Sequence, residues 1–210
     1  GFASLVISLE MPTDQLVTRS VSSIASLDMQ KLKDPRTMTD DDNMKLAAGV
    51  TRLSNLPIEY MDKMETNIHK VCQSIRAWYR RTKNHGCVLI DYLQLMVTDP
   101  KNSNAEIGSI TRRLKILSSE LNMPILLVSQ LNRSLENRSN KRPINSDLRD
   151  SGSVEQDADT ITFVYRDEIY DENTKFKGVA ELIVGKQRNG PIGVVYASSE
   201  LRYQRFGNLI

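Results

Sequence analysis

This sequence has little cysteine, no long apolar run and no strong net charge. Its 210 residues include only two cysteines, Cys72 and Cys87, which form no metal-binding or redox motif. One falls in a helical pattern and one in a strand pattern, so we expect reduced core thiols of a cytoplasmic protein. No apolar run approaches the roughly 20 residues that span a bilayer, so no membrane association is expected. The net charge of +2 is too small to indicate nucleic-acid binding, which must rest on local clusters.

The order of apolar segments predicts a single α/β domain over residues 1–210. Short apolar runs alternate with helical patterns, which is typical of a mostly parallel, twisted sheet flanked by helices. The later short strands, near residues 160–165, 180–184 and 193–196, are predicted to form an antiparallel extension at the C-terminal end. The predicted helices cover residues 13–25, 40–53, 67–84 and 106–121, and the third is expected to be capped by Thr66 and ended by Gly86.

Three apolar strands are each followed by a polar side chain. Glu10, Asp91 and Gln130 stand at these three strand ends. The carboxyl ends of parallel strands lie along one edge of the sheet, where open α/β sheets bind ligands. At a phosphoryl-transfer site Asp91 would hold Mg²⁺, Glu10 would orient or deprotonate a water, and Gln130 would sense the reacting phosphate. The alternative is three loop-entry or capping side chains that only meet solvent.

Residues 131–149, here called the basic loop, contain few apolar side chains and are too long for an ordinary connector. Its cations outnumber its acids by three, and it has no aromatic residue to stack on a base. Such a loop is suited to contact phosphates, and Gly152 just beyond it adds a backbone donor. A solvated surface loop is the alternative. The charged residues are Arg133, Arg138, Lys141, Arg142 and Arg149 against Glu136 and Asp147.

Lys186 and Arg188 lie two residues apart near a hairpin tip and would point the same way in strand geometry. A pair of cations at such a tip is suited to reach a nucleotide bound by a neighbouring subunit, as an arginine finger does. Basic residues at a hairpin tip are also common on ordinary surfaces, so this pattern leaves both interpretations open.

Five segments in a fixed order closely resemble the C-terminal motor domain of the DnaB-type replicative DNA helicases. The resemblance extends over nearly the whole chain. No single segment is specific, but the five together form a strong signal. They are SLEMP at residues 8–12, LIDYLQL at 89–95, VSQLNR at 128–133, LRDSGSVEQDAD at 148–159 and KQRNGP at 186–191.

This resemblance implies a RecA-like P-loop NTPase core that uses ATP and Mg²⁺, assembles as a homohexamer and moves 5′ to 3′ along single-stranded DNA. It implies that Glu10 is the catalytic carboxylate and Asp91 the Mg²⁺-associated acid, and that Gln130 links the nucleotide to the DNA loops. By the same resemblance, Lys186 and Arg188 act in trans on the γ-phosphate of the adjacent subunit. The stretch matching the family's DNA-backbone contacts contains Arg149, Asp150 and Gly152, to which the basic loop adds Arg133 and Arg142.

The sequence departs from the family in one respect: it contains no G-x-x-x-x-G-K-[ST] motif. In the family this motif lies just upstream of the first matched segment. We therefore expect a motor domain truncated at its N-terminus, which also lacks the N-terminal domain that meets primase; the parent protein is also expected to meet a helicase loader. Alone, this chain should bind ATP poorly. Two alternatives stay open: another RecA-like ATPase, or a noncatalytic module that binds DNA or a partner.

Overall fold

A computed structural model describes residues 1–62, 66–148 and 151–209, with Ser151 described for its backbone alone. The strands form two four-stranded sheets, one parallel and one antiparallel. The strands are β1 Ala3–Ser8, β2 Ile58–Met61, β3 His85–Asp91, β4 Ile125–Leu127, β5 Thr160–Tyr165, β6 Val179–Gln187, β7 Gly193–Glu200 and β8 Arg205–Asn208. The helices are α1 Thr13–Ala25, α2 Met29–Lys33, α3 Asp40–Ser54, α4 Ile68–Arg81, α5 Ser103–Leu121 and α6 Ser151–Asp157.

The first sheet has the order β2-β1-β3-β4, and all its pairs are parallel. In the central strands β1 and β3, Leu5, Ile7, Val88 and Ile90 are fully buried, whereas the alternate residues Val6 and Leu89 are only partly buried, so the predicted burial on both faces is only partial. Helices α4 and α5 cover this sheet, and Trp78 and Leu117 are buried among the strand residues Leu5 and Ile90. The predicted α/β class, with helices flanking a mostly parallel sheet, is confirmed.

The second sheet, β5-β6-β7-β8, is antiparallel throughout. Strand β5 alternates buried and exposed residues, and its buried Ile161 and Phe163 belong to the same core cluster as the parallel sheet. Within the described residues, β4 pairs only with β3 and β5 only with β6. Each of these two strands therefore has an edge whose backbone groups are unpaired in the described part of the chain.

Several predicted boundaries are wrong. The N-cap of α4 is Asn67, whose side chain accepts a hydrogen bond from the His69 amide, and not Thr66. This helix ends at Arg81, so Gly86 does not terminate it but lies inside β3. The mostly apolar run at residues 125–130 predicts a longer, buried strand, but β4 covers only Ile125–Leu127 and Leu126 is 50% exposed, because the strand stands at the edge of its sheet. Of the two free thiols, Cys72 is buried but Cys87 is only partly so.

The basic loop is closed at its base and folded on itself. An antiparallel bridge joins Leu131 to Leu148, and Leu135 is buried beneath the loop. Buried Asp147 accepts hydrogen bonds from the Arg138 guanidinium and the Ile144 amide. Side chains of the loop thus satisfy several of its own backbone groups. None of the described helices combines the length and hydropathy needed to cross a bilayer.

Candidate functional site

Glu10 and Asp91 lie at the carboxyl ends of two neighbouring strands, β1 and β3, and therefore at the same edge of the parallel sheet. Ser8 pairs with Asp91 in the register of β1 and β3, and the Leu9 amide donates to the Asp91 carbonyl oxygen at 2.7 Å. The turn after β1 is held by buried Ser8, whose Oγ accepts a 2.9 Å hydrogen bond from the Met11 amide. Glu10 therefore lies in a turn two residues beyond the strand, not at its last position as predicted.

The two carboxylates interact electrostatically. Burial is the larger cause that raises the pKa of Asp91, the negative charge of Glu10 raises it further, and Arg19 on α1 opposes both. Acids that repel each other at a sheet edge are suited to hold a cation, which removes the repulsion. The sequence pattern indicated both acids but not Arg19, because that residue lies on the helix and depends on how α1 returns across the sheet.

Gln130 is exposed three residues beyond β4, not at the strand end as predicted, and its backbone is hydrogen-bonded to the segment after β3. Gln94 makes this link: its Nε2 donates to Ser129 Oγ at 3.0 Å and its Oε1 accepts from the Gln130 amide at 3.1 Å. The Leu93 amide donates to the Val128 carbonyl oxygen at 2.9 Å. The segment carrying Gln130 is thus fixed relative to the end of β3, where Asp91 lies. Gln94 falls in a recognised segment, but its positioning role was missed.

Asp62 is another acid that sequence analysis missed. It follows β2, and its Oδ2 accepts a 2.7 Å hydrogen bond from the Thr13 amide, the first residue of α1. A carboxylate at this position satisfies an otherwise free helix amide and interacts favourably with the helix dipole. Since β2 neighbours β1, the carboxyl ends of β2, β1 and β3 bring Asp62, Glu10 and Asp91 to one edge of the sheet.

The cations of the basic loop are used in different ways. Arg142 makes a bidentate ion pair with buried Glu181 on β6, with Nε–Oε2 and Nη2–Oε1 distances of 2.8 and 2.6 Å. Its guanidinium also lies over the Tyr165 ring. This ion pair occupies the guanidinium and holds the loop against the antiparallel sheet, so the structure gives no support to the predicted DNA contact of Arg142.

Arg133, in contrast, is exposed and makes no hydrogen bond or ion pair with any residue that the structure describes. Gly152 is also exposed, in the first turn of α6, and a Cβ built there would meet nothing within 4 Å. The predicted DNA contacts of Arg149 and Asp150 lie outside the described residues. The geometry therefore keeps Arg133 and Gly152 available to a ligand.

Lys186 and Arg188 point the same way, as predicted, and both reach the end of α6. Lys186 Nζ donates to the carbonyl oxygens of Glu155 and Gln156, and Arg188 Nη2 donates to the latter at 2.9 Å. Cations at a helix C-terminus satisfy its free carbonyls and its dipole. Within the described residues, no hydrogen bond or ion pair joins this pair to Glu10, Asp91 or Gln130.

A divalent cation with a phosphate fits the strand-end edge. Mg²⁺ is bound in such sites by one or two carboxylates, with water and phosphate oxygens completing its shell. In residues 1–62, 66–148 and 151–209 no three His, Cys, Asp or Glu side chains converge as a complete metal site. The partly buried Asp91 carboxylate, with the charge of Glu10 nearby, provides oxygen ligands of the kind that suit a cation bound together with a nucleotide.

A parallel sheet flanked by helices, with acids at one edge and an antiparallel extension, defines a RecA-like core. The chain superposes on a solved structure described as an ATPase domain with a TM-score of 0.94 and 35% identity, covering all of this chain and 75% of that one. It matches equally well (TM-score 0.94, 35% identity) a DnaB-like replicative helicase described with its interactions with primase, covering all of this chain and 51% of that one.

The family model for the DnaB-like helicase C terminal domain matches residues 2–208. The chain belongs to this family, as the five segments predicted. It is 45% identical over 208 residues to the replicative DNA helicase DnaB of Pasteurella multocida, a match that covers 98% of this chain and 44% of that relative. The chain therefore spans less than half the length of this relative.

Proposed function

We propose that this chain is the motor domain of a replicative DNA helicase, which couples ATP hydrolysis to 5′-to-3′ movement along single-stranded DNA within a homohexameric ring. The observation that carries the proposal is the placement of Asp91 at the end of β3 and of Glu10 in the turn after the neighbouring β1, where the charge of Glu10 raises the pKa of Asp91, in a chain of this family. The parent protein would act in the cytoplasm and meet primase and a helicase loader. A relative's solved structure is described with its primase interactions, which supports the primase partner.

In this proposal each strand-end residue has one task. Asp91 would hold Mg²⁺, which when bound neutralises charge on the phosphate oxygens of ATP. Glu10 lies at an exposed turn and would orient and deprotonate the attacking water. Gln130 would contact the γ-phosphate or that water, and its fixed link to β3 through Gln94 would convert loss of the phosphate into movement of the basic loop.

The DNA-facing groups would be Arg133, Arg149, Asp150 and Gly152, with Arg142 positioning the loop that carries the first of them. Lys186 and Arg188 would act on the γ-phosphate held by the adjacent subunit. Both cations lie near the tip of the β6–β7 hairpin, and the Arg188 side chain is 46% exposed. This position supports a contact with a nucleotide on another subunit.

We also propose that the phosphate-binding loop lies in chain outside these 210 residues, on a segment that pairs with the unpaired edge of β4. The relatives' greater length supports this proposal. So does the exposure of Leu126 and Val128, which are 50% and 43% exposed at that edge and would be covered by an added segment. Without the missing motif, residues 1–210 alone would be a noncatalytic module, which is the second candidate function.

The test uses the full-length protein and the variant Glu10→Gln. ATP turnover of the wild-type protein should rise on addition of single-stranded DNA. In the variant, ATP turnover should fall at least about 100-fold, the scale expected for loss of a general base. The Kd of a fluorescent ATP analogue should change by less than about 2-fold, which is less than about 0.5 kcal/mol of binding free energy. The matched control is Glu172→Gln, because Glu172 is exposed and makes no hydrogen bond or ion pair with the described residues. Unchanged turnover in the Glu10 variant would contradict its role.

A further inference from the structure

The side chain of Asn145, in the basic loop, joins three separate elements. Its Nδ2 donates to Glu155 Oε1 on α6 at 2.9 Å and to the Gly185 carbonyl oxygen on β6 at 3.2 Å. Both partners are acceptors, so the amide nitrogen must be the atom that faces them. The amide oxygen, Oδ1, is buried and has no hydrogen-bond donor within the described residues. A buried amide oxygen without a donor costs stability, which a purely structural position would avoid.

These contacts close a ring with the two cations described above. Glu155, which accepts from Asn145 through its side chain, accepts from Lys186 through its backbone carbonyl oxygen. Gly185, the other partner of Asn145, immediately precedes Lys186 on β6. The ring therefore passes from the basic loop to α6, from α6 to the Lys186 side chain, and back to the loop through the β6 backbone.

Gly185 is required for this ring to close. A Cβ built on Gly185 would overlap Asn145 Oδ1 and would lie 2.8 Å from Phe163 Cε2. The side chains of Phe163 and Asn145 cannot easily move away from an added Cβ. Phe163 is packed in the core, and Asn145 is held by its two hydrogen bonds. The absence of a side chain at residue 185 is what lets the loop reach the strand that carries the cations.

The ring contacts α6 in its C-terminal half, at Glu155 and Gln156, and the helix itself connects this end to Gly152 in its first turn. The helix begins next to Gly152 and the proposed DNA contacts, and it ends at the carbonyl oxygens that hold Lys186 and Arg188. For either cation to reach a phosphate on a neighbouring subunit, it must give up these carbonyl bonds. Asn145 holds both α6, through Glu155, and the β6 backbone next to Lys186, so a movement of the loop would act on the same bonds.

We propose that Asn145 is a positioning residue that couples DNA binding at Arg133 and Gly152 to release of the Lys186 and Arg188 side chains toward the adjacent nucleotide. This inference rests on the proposed helicase function. It assigns to Asn145 no contact with DNA or nucleotide; the residue acts through Glu155 and Gly185. Because coupling between two ligands is reciprocal, it is measured as the factor by which a nucleotide changes the affinity for DNA.

The experiment measures the Kd of a fluorescent oligo-dT for the full-length protein, with and without a non-hydrolysable ATP analogue. In the wild-type protein the analogue should change this Kd by about 5- to 150-fold, the usual range for allosteric coupling. In Asn145→Ala the ratio should fall to less than about 2-fold, whereas the Kd without nucleotide should change by less than about 3-fold, under 1 kcal/mol by the standard conversion.

Conservative and steric variants distinguish positioning from a general loss of structure. Glu155→Gln keeps an acceptor for Asn145 and should retain the coupling, whereas Glu155→Ala and Gly185→Ala should lose it as Asn145→Ala does. The matched control is Asn137→Ala, because Asn137 lies in the same loop and its exposed side chain makes no hydrogen bond to the described residues. Thermal unfolding of each variant shows whether it is folded. If Asn145→Ala does not fold, Glu155→Ala and Gly185→Ala still test the coupling.

Two results would overturn the inference, and they differ in what else they overturn. If Asn145→Ala and Glu155→Ala couple the two ligands as the wild-type protein does, Asn145 has no positioning role and the proposed function stands. If the wild-type protein itself shows no effect of the nucleotide on DNA affinity, the coupling is absent altogether. The proposed function then fails together with the inference.

Discussion

Removing one partner of the Arg142–Glu181 ion pair is expected to destabilise the domain substantially. Glu181 is 5% exposed and its carboxylate accepts two hydrogen bonds from the Arg142 guanidinium. The Arg142 guanidinium carbon also lies 4.7 Å from the centroid of the Tyr165 ring, so the substitution also removes a cation–π contact. Burial, followed by the hydrogen bond to Asp167, raises the pKa of Tyr165 to about 12.

The size of the effect follows from burial. Breaking a fully buried pair from one side costs about 3–5 kcal/mol, because the remaining charge stays desolvated and unpaired. The Arg142 side chain is 40% exposed, so water screens this pair and the cost should be lower. We expect Arg142→Met to lose about 2–3 kcal/mol, which for a domain of this size lowers Tm by about 5–10 °C.

The assay is a double-mutant cycle by urea unfolding with Arg142→Met, Glu181→Leu and both together. Removing both charges leaves no unpaired group, so the double variant should be more stable than the sum of the two single losses by at least about 1 kcal/mol. Additive losses within about 0.5 kcal/mol would refute the reasoning.

In the full-length protein, the double variant should also keep the salt dependence of binding to single-stranded DNA. A slope of log K against log salt concentration that is reduced by about 0.7 would show that Arg142 contacts a phosphate.

Three further predictions concern charged groups. Burial and the charge of Glu10 raise the pKa of Asp91 above 3.8, so wild-type stability falls as the pH rises from 3.8 through the raised pKa. Asp91→Asn should therefore unfold at a higher temperature than the wild-type protein at pH 7 but not at pH 3. A variant that is less stable than wild type at pH 7 would contradict this expectation. Hydrogen bonds from Lys31 and Thr39 lower the pKa of Asp42 from 3.8 to about 2, so its stabilisation is present above 3.8 and is lost as the pH falls toward 2. Urea midpoints of wild type and Asp42→Asn should thus differ at pH 5 and converge near pH 2, and a constant difference would exclude this cause. Arg133→Ala in the full-length protein should weaken DNA binding and reduce its salt slope by about 0.7, with unchanged binding excluding Arg133 as a contact.

Local signals predicted the elements whose ends depend on nearby residues. The prediction for α1 matches Thr13–Ala25 because Pro12 precedes a strong apolar periodicity. The predicted helix over residues 40–53 begins at the right residue because Thr39 and Asp42, three positions apart, form a complete capping box at the start of α3. Where the local signals competed, as at Thr66 and Asn67, the wrong cap was chosen, because both residue types are good caps and only the path of the chain selects one.

Residues far apart in sequence decided what the basic loop does. Its excess of cations predicted a surface open to phosphates. Instead, Arg142 pairs with an acid 39 residues later, and Arg138 pairs with Asp147 inside the loop. The composition of a segment counts its charges but does not say which of them already have partners, and only the packing of the loop on β6 settles this.

Short-range patterns were enough to predict the α/β class, the family and an acid near the end of each of two neighbouring strands, although Glu10 lies in the turn two residues beyond β1. Only the tertiary structure decided the strand order, the closure of the basic loop and the Asn145 ring. The physical reason is that a hydrogen bond or an ion pair between distant residues depends on distances of a few ångströms that no local pattern contains. A single missing Cβ, at Gly185, is enough to decide whether the loop and the strand can meet.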